Sequence, residues 1–328
     1  MGRMRRIIAW MMAAGIVAGT LSGCGEQKHT TQILGYFDTV VTLSAQGISA
    51  GDFDRLTDFL AQKLAHYHSL FDAFDTYDGL SNLKTINDSA GQAVSVDPEL
   101  LELLTLSADL YRKTEGRFNI YMGRVTARYR EFLSSDTLLP PDPEELRPLM
   151  EGADPSALVI DSAAGTVTLR EGILLDLGGI AKGFAADRIA AAAKEAGFDC
   201  FLLNFGGSVT AVGEKAPQTP FRVGIAHPRS QTGEVLRTLP LADEHLVTSG
   251  DYQRYRMVEG VRYHHIIDPE TLLPATYFPS ITLCSTSAAV ADAFSTALFC
   301  TDISTGDRLV AQCPEITQVI RITYEEVA

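Results

Sequence analysis

The sequence is poor in cysteine and in basic residues. It has five cysteines in 328 residues, with no C-x-x-C spacing and no accompanying histidine cluster, so a zinc site is not expected. Lysine and arginine number 27 against 41 aspartates and glutamates, which gives a net charge of −14. So acidic a chain argues against nucleic acid as a partner and against adsorption to anionic lipid through charge alone.

Repeats and low-complexity segments are also absent, and the N-terminal apolar stretch is short. Residues 7–20 are apolar but fall short of the roughly 20 residues that a membrane span requires. A basic segment precedes them and "LSGC" follows, which resembles a lipoprotein signal peptide over residues 1–23 with lipidation at Cys24. The alternative is an ordinary secretory peptide with an incidental cysteine. Loss of residues 1–23 removes three arginines and no acids, which changes the net charge from −14 to −17.

The remainder reads as a short tether, residues 24–31, followed by one domain over residues 32–328. A hydrophobic content of 46% is enough for a large core. Strands joined both by hairpins and by helices predict an α+β, or mixed α/β, fold. Helices are predicted at 53–74, 98–114, 181–196 and 287–299. Strands are predicted at 33–45, 156–160, 166–170, 173–177, 200–207, 220–226, 245–249 and 316–324, with a hairpin turn at Glu259-Gly260.

The stretch "DLGGIAKGFAAD", residues 176–187, follows an apolar strand-like run and begins a helical pattern. It matches neither a Walker loop, because Phe184 stands where lysine is needed, nor G-x-G-x-x-G. Its glycines would still let backbone approach a ligand, and a helix N-terminus offers free N–H groups to a phosphate. Lys182 adds a suitable charge. The alternative is a loop whose glycines only permit tight packing.

A second candidate element is the apolar helix around "ADAFSTALF". Asp292 and Thr296 are four residues apart and therefore project from one face. Carboxylate and hydroxyl oxygens are ligands that suit Mg²⁺, and a carboxylate buried in this helix needs a partner. The partner is either a metal ion or a lysine or arginine. Together with the glycine loop, the pair favours metal-assisted phosphate chemistry.

A third element is "YHHIIDPETLLPA", in which His264 and His265 precede an Asp-Pro turn. An imidazole with a pKa near neutrality suits proton transfer. The alternative is a hairpin with the two histidines on opposite faces, one of them buried.

These elements, in this order, resemble the ApbE family of FAD:protein FMN transferases. The resemblance covers nearly the whole mature chain, and it implies an ApbE-like fold with the active site in a cleft between two subdomains. The stretches that carry it are "FDTVVTL", "FDTYDGLSNLKTIN", "TEGRFN", "DLGGIAKGFAADRI", "NFGGSVTAVG", "TSGDYQRY", "HHIIDPETLLPA" and "ADAFSTALF".

The resemblance implies a site. It makes Gly179, through its carbonyl, together with Asp292 and Thr296 the ligands of Mg²⁺, with Mn²⁺ as an alternative ion, and FAD the substrate. Asp292 is thereby a catalytic residue, and His265 is the candidate base or phosphate contact. The implied FAD contacts are Phe37, Tyr77, Asn87, Arg117, Phe118, Asn119, Asp176, Lys182 and Ile267.

The implied activity is transfer of FMN from FAD to a threonine hydroxyl of target flavoproteins, with release of AMP. The targets would be subunits of membrane redox pumps. The enzyme itself would be exported, anchored by a lipid to a bacterial membrane, and would face the periplasm or the exterior. Two departures from the family pattern, Phe37 in place of methionine and Leu272-Leu273 in place of a glycine-aromatic pair, would reshape one wall of the FAD pocket. FAD hydrolysis to FMN and AMP, or non-catalytic FAD binding, stays open as an alternative.

Overall fold

The computed structural model describes residues 28–230 and 232–327, so the predicted signal peptide and Cys24 lie outside the described residues. An antiparallel sheet of seven strands forms the centre of the described structure. In spatial order its strands are β1 (Lys28–Tyr36), β2 (Thr39–Gln46), β6 (Phe201–Phe205), β7 (Val209–Val212), β10 (His245–Gly250), β13 (Ser280–Ser285) and β14 (Ile316–Ile322).

The described residues also form three smaller antiparallel sheets. The first joins β3 (Ala93–Ser95), β5 (Thr166–Leu169) and β4 (Leu158–Asp161). The other two are the hairpins β8 (Phe221–Ala226) with β9 (Val235–Leu241) and β11 (Tyr255–Val258) with β12 (Val261–His264).

Eight α-helices complete the described part of the chain. They are α1 (Ala50–Phe71), α2 (Leu83–Asp88), α3 (Pro98–Lys113), α4 (Gly123–Leu133), α5 (Pro143–Leu146), α6 (Ala181–Glu195), α7 (Ala288–Phe299) and α8 (Ile303–Val310). Three short 3₁₀ turns lie at Arg147–Met150, Pro155–Ala157 and Glu325–Val327. The mixed α/β prediction is confirmed. Among the described helices none is both long and apolar enough to cross a membrane.

The core lies where α7 packs on the sheet. Helix α7 contacts β10 and β13, and α6 packs against both α7 and α1. Eleven of the twelve residues of α7 are buried, because small alanine side chains let neighbouring elements approach on every side. Helix α1 instead buries one stripe that includes Phe53, Leu56 and Leu60. Asp292 is therefore held in the most enclosed helix of the described structure.

Two predicted strands were wrong. Residues 33–45 form the β1–β2 hairpin instead of one strand, because Phe37 (φ 52°) and Asp38 (φ 51°) adopt the left-handed conformation that a tight hairpin turn requires. Because the alternation of apolar residues continues across that turn, the sequence pattern does not reveal it. Residues 173–177 alternate buried and half-buried positions, yet they make only one isolated bridge, between Leu174 and Met122.

Most other predicted bounds hold to within a few residues. The first helix begins and ends three residues earlier than predicted, at Ala50 and Phe71. The helices predicted at 98–114 and 181–196 are α3 and α6. Glu259 and Gly260 make the predicted hairpin turn between β11 and β12. Strand β1 begins at Lys28, which puts residues 28–31 of the predicted tether in the sheet.

Candidate active site

The glycine turn ends beside α7. Gly178 donates its N–H to Asp176 Oδ1 at 2.8 Å, so the aspartate closes the turn that leads into α6. Gly179 follows, and a Cβ built on it would lie 3.4 Å from both the Phe118 ring and Thr296 Oγ1. The turn therefore brings three predicted site residues together: Gly179, Phe118 and Thr296.

The next glycine of the motif joins two helices. A Cβ on Gly183 would lie 2.2 Å from the carbonyl oxygen of Ala288, so α6 and α7 touch backbone to backbone there. The N–H of Gly183 donates to Asp292 Oδ2 at 3.0 Å. Gly183 thus fixes the position of Asp292 relative to the glycine turn, and only a residue without a side chain allows this contact.

Asp292 is 6% exposed and has Lys182 as its ion-pair partner. The Lys182 Nζ lies 3.7 Å from Asp292 Oδ2, and it also donates to the Gly178 carbonyl at 3.1 Å. The lysine partner that the sequence left open is therefore present. Lys182 and Gly183 occupy only part of the carboxylate, because the contacts that the Asp292 side chain makes with other described residues fall on Oδ2.

The predicted metal ligands lie close together on α6 and α7. Thr296 donates its hydroxyl to the backbone carbonyl of Asp292 at 3.3 Å and faces Gly179. One carboxylate, one hydroxyl and one carbonyl are hard oxygen donors that fit Mg²⁺. In the described ranges no group of three or more His, Cys, Asp or Glu side chains is placed to hold a metal. Magnesium binding therefore stays a prediction.

Asp176 is more heavily engaged than the sequence indicated. Its Oδ2 accepts hydrogen bonds from Thr126 Oγ1 at 2.6 Å and from Arg130 Nη2 at 2.9 Å. Both donors lie on α4, which we did not predict from the sequence. Since Oδ1 closes the turn at Gly178, the carboxylate links α4 to the glycine loop.

Two residues of the stretch Arg117 to Asn119 line a cavity of about 290 Å³. Arg117 is paired with Glu270 at 2.7 Å and with the buried Asp268 at 3.5 Å. Burial raises the pKa of that Asp268 carboxyl. Asn119 donates to the carbonyl of Ala153 at 2.9 Å. Arg117 and Asn119 line the cavity, whereas the Phe118 side chain is buried in the core.

Tyr77 and Asn87 are both anchored by hydrogen bonds. The Tyr77 hydroxyl donates to Asp72 at 2.8 Å, and burial together with this carboxylate raises the pKa of Tyr77 to about 12. The Asn87 amide pairs with both backbone groups of Leu175, at 3.0 and 2.8 Å. Asn87 therefore positions the segment just before Asp176, and its contact with flavin stays a prediction.

Phe37 and Ile267 pack into their surroundings. The Phe37 ring makes edge contacts with His68 and Phe205, with centroids 5.8 and 6.2 Å apart. Ile267 is buried and forms an isolated bridge with Pro274. The structure gives both residues fixed positions, and their contacts with FAD stay predictions.

The two adjacent histidines differ in environment. His264 is buried, with Nε2 2.8 Å from the Ala275 carbonyl, while Nδ1 accepts the N–H of Ile266 at 3.2 Å. His265 is half-buried, with Nδ1 3.4 Å from the Arg254 carbonyl. Burial, with the charge of Arg254, lowers the pKa of His265 to about 3. Its imidazole is therefore neutral at neutral pH.

A hydrogen-bonded network centred on the half-buried Asp187 was missed by sequence reasoning. Asp187, at the end of the glycine motif, accepts the N–H groups of Ala288 and Ala289 at 2.7 and 3.0 Å, and so caps α7. The same carboxylate lies 3.2 Å from Nε2 of His245, whose Nδ1 meets Thr210 Oγ1 at 3.0 Å. The only available signal was the position of Asp187 five residues after Lys182.

Fold and site together define a mixed α/β protein in which a glycine turn meets a carboxylate and a hydroxyl on a buried helix. The ApbE family profile matches residues 37–320, and the chain belongs to the ApbE family. A solved structure, the ApbE protein of Thermotoga maritima, superimposes with a TM-score of 0.80 at 28% identity, over 90% of this chain and 94% of that one. The flavin transferase ApbE of Vibrio cholerae, at 19% identity and a TM-score of 0.72, shares the fold over 92% of this chain and 99% of its own.

Two curated relatives carry the name FAD:protein FMN transferase. The protein of Treponema pallidum is 35% identical over 235 residues, which is 67% of this chain and 64% of that protein. The protein of Rhodobacter capsulatus is 30% identical over 322 residues, 95% of this chain and 59% of that protein. The matched region therefore spans about three fifths of the length of these two relatives.

Proposed function

We propose that this protein transfers the FMN half of FAD to a threonine hydroxyl of target flavoproteins and releases AMP. The observation that carries the proposal is the meeting of Gly179 with Thr296 while Gly183 and Lys182 hold Asp292. Membership of the ApbE family and the names of the two curated relatives support it. FAD is thus a substrate, not a resident cofactor.

In the proposed reaction the threonine oxygen attacks the phosphorus of the FMN half. The bond between that phosphorus and the bridging oxygen of the pyrophosphate breaks, and AMP leaves with this oxygen. Lys182 is the lysine beside the glycine turn, where its charge would offset negative charge on the phosphates. The turn and the start of α6 would orient FAD, because helix N-termini favour anions.

The carbonyl of Gly179, the carboxylate of Asp292 and the hydroxyl of Thr296 would hold Mg²⁺. A bound Mg²⁺ supplies charge that stabilises the pyrophosphate oxygens and the leaving AMP. The bond from Gly183 would keep the carboxylate in place before any ion arrives. Mn²⁺, which prefers similar oxygen ligands, would be an alternative ion.

His265 remains the candidate base or phosphate contact. With its pKa lowered to about 3, the ring is a weak base but carries an unprotonated nitrogen at neutral pH. If Nδ1 donates to the Arg254 carbonyl, Nε2 is left as the acceptor for the threonine proton. A base with so low a pKa takes up the threonine proton slowly, and the phosphate-contact role requires the other tautomer, in which Nε2 carries the hydrogen.

The decisive experiment mixes residues 28–328 with FAD, Mg²⁺ and a threonine-containing target domain, and then measures in-gel flavin fluorescence and AMP. A fluorescent target with one AMP per flavin supports the transferase. AMP and free FMN without a labelled target would indicate a hydrolase, and bound FAD without AMP would indicate a binding protein. Both of these outcomes contradict the proposal.

We also propose that the mature protein is a lipoprotein anchored through Cys24, which faces the periplasm or exterior and modifies subunits of membrane redox pumps. The signal-like residues 1–23 and the acidic body motivate this proposal. The full-length chain should fractionate with membranes and Cys24→Ser should release it. If the Cys24→Ser protein stays with the membranes after its signal peptide has been removed, the lipid anchor is contradicted.

A further inference from the structure

Phe74 and Arg130 form an exposed stacked pair beside the predicted FAD site. The guanidinium carbon of Arg130 lies 4.8 Å from the centroid of the Phe74 ring. Phe74 is 54% exposed and the Arg130 side chain 49% exposed, so a ligand could reach both. Within the described residues, the Arg130 side chain donates only to Asp176, at 2.9 Å, although a guanidinium has five N–H donors.

Asp72 ties this pair to Tyr77. One oxygen of the buried Asp72 carboxylate accepts the Phe74 N–H at 2.7 Å, and the other accepts the Tyr77 hydroxyl at 2.8 Å. Contacts therefore run without a break from Tyr77 through Asp72, Phe74 and Arg130 to Asp176. Tyr77 and Asp176, which lie far apart in sequence, border one surface, and Phe74 with Arg130 occupies its middle.

The charges on this surface indicate the chemistry of its ligand. Arg130 is one cation against the carboxylates of Asp72 and Asp176, so the cluster has a deficit of positive charge. Such a cluster disfavours a phosphate. It suits an uncharged planar ring system, which can stack on aromatic and guanidinium faces and accept N–H bonds at its carbonyl edge.

We infer that Phe74 and Arg130 bind the isoalloxazine ring of FAD. The inference rests on the proposed function and assigns two ligand-contacting residues beyond the FAD contacts that the resemblance implies: Phe74, which opens the stretch "FDTYDGLSNLKTIN", and Arg130, which lies outside the family stretches. The Arg130 guanidinium would stack on the isoalloxazine ring or donate to its carbonyl oxygens, while the Phe74 ring packs against the other side of the guanidinium. The phosphates and adenine of FAD would then lie away from this pair, toward the glycine turn.

The test compares the dissociation constants of FAD, FMN and ADP, with flavins followed by fluorescence and ADP by competition with FAD. Arg130→Met and Phe74→Leu should each weaken FAD and FMN about tenfold and leave ADP within about twofold. Phe74→Tyr, which keeps the ring, should restore wild-type affinity. Arg130→Lys keeps the positive charge next to Asp176 but lacks the planar guanidinium, so the loss of FAD and FMN affinity should persist.

Arg128→Met is the matched control, because Arg128 lies on the same helix, is half exposed and pairs with Glu131. It should leave every dissociation constant unchanged. A loss of ADP affinity equal to that of FMN would place the pair against a phosphate and overturn the inference, as would unchanged FMN affinity. If the wild-type protein transfers FMN and these variants bind flavin with wild-type affinity, only the inference is overturned. If the wild-type protein binds no FAD, the proposed function is overturned as well.

Discussion

The N–H of Gly183, in the first turn of α6, donates a hydrogen bond to Asp292 Oδ2 on α7 at 3.0 Å. The two residues are 109 positions apart, and the bond exists because α6 and α7 pack with their backbones in contact. It connects the glycine motif to the carboxylate that the proposed chemistry needs. Four predictions test this arrangement and the groups around it.

Asp292→Asn should abolish transfer while the protein stays folded. The amide oxygen can still accept the bond from Gly183, but the charge that faces Lys182 and a bound cation is lost. We expect a fall in kcat/KM of about a hundredfold or more, measured by target fluorescence across a range of Mg²⁺ concentrations. Asp307→Asn removes a surface carboxylate paired with Arg321 and should leave transfer unchanged. Transfer by Asp292→Asn at the wild-type rate would contradict the metal site.

Gly183→Ala should destabilise the fold. The added methyl would lie 2.2 Å from the Ala288 carbonyl oxygen, so α6 and α7 must separate. Such overpacking costs about 1–3 kcal/mol of unfolding free energy, measurable by urea denaturation. Gly51→Ala is the control, because Gly51 lies near the start of α1 and its new Cβ would have no neighbour closer than 4.0 Å. That variant should be as stable as the wild type or more stable. Equal stability of the two variants would contradict the close helix contact.

Asp187→Ala should lower both stability and transfer. The substitution leaves the N–H groups of Ala288 and Ala289 without their acceptor and removes the carboxylate beside His245. We expect a loss of about 2 kcal/mol in unfolding free energy. Because α7 carries the predicted metal ligands, the Mg²⁺ concentration for half-maximal transfer should also rise.

Asp302→Ala separates these two effects, because Asp302 caps α8 through Ser304 and Thr305 in the same way. It should cost about 1 kcal/mol without changing the Mg²⁺ dependence. If both aspartate variants shift stability alone, Asp187 acts only as a helix cap and does not position the site.

His265 should make folding stability depend on pH between about 6.5 and 3. Its pKa is about 3 in the folded protein against 6.5 for an ordinary histidine, so the unfolded chain takes up the proton first as pH falls. Stability must then decrease with acid in this window, by at most about 1 kcal/mol per pH unit for this half-buried group.

His265→Gln should flatten this dependence, as measured by urea denaturation at several pH values. The buried His264, whose pKa burial also lowers, remains in the variant and should maintain part of the slope. Parallel curves for wild type and variant would show that the His265 pKa is not lowered by folding.

Local sequence patterns predicted four of the eight described α-helices and several strands, since each depends on neighbouring residues. Asp97 caps α3 with Pro98 at its first position, and the apolar period of α1 sets its buried face. Predictions failed where local patterns are ambiguous. Phe37 and Asp38 form a turn without the usual asparagine or glycine, and alternation at residues 173–177 matches a strand that has no partner ladder.

Residue types and their spacing specify which chemical groups this protein has available: a glycine loop with Lys182, a carboxylate and hydroxyl at helical spacing in Asp292 and Thr296, and the motifs of the ApbE family. Tertiary structure decided which of them meet. Lys182 pairs with Asp292 only because α6 and α7, which are distant in the chain, pack side by side, and Arg130 pairs with Asp176 because α4 lies beside the segment that leads into the glycine turn. Residue spacing determines which side chains share one face of a helix. Which element packs against that face depends on the packing of the whole core.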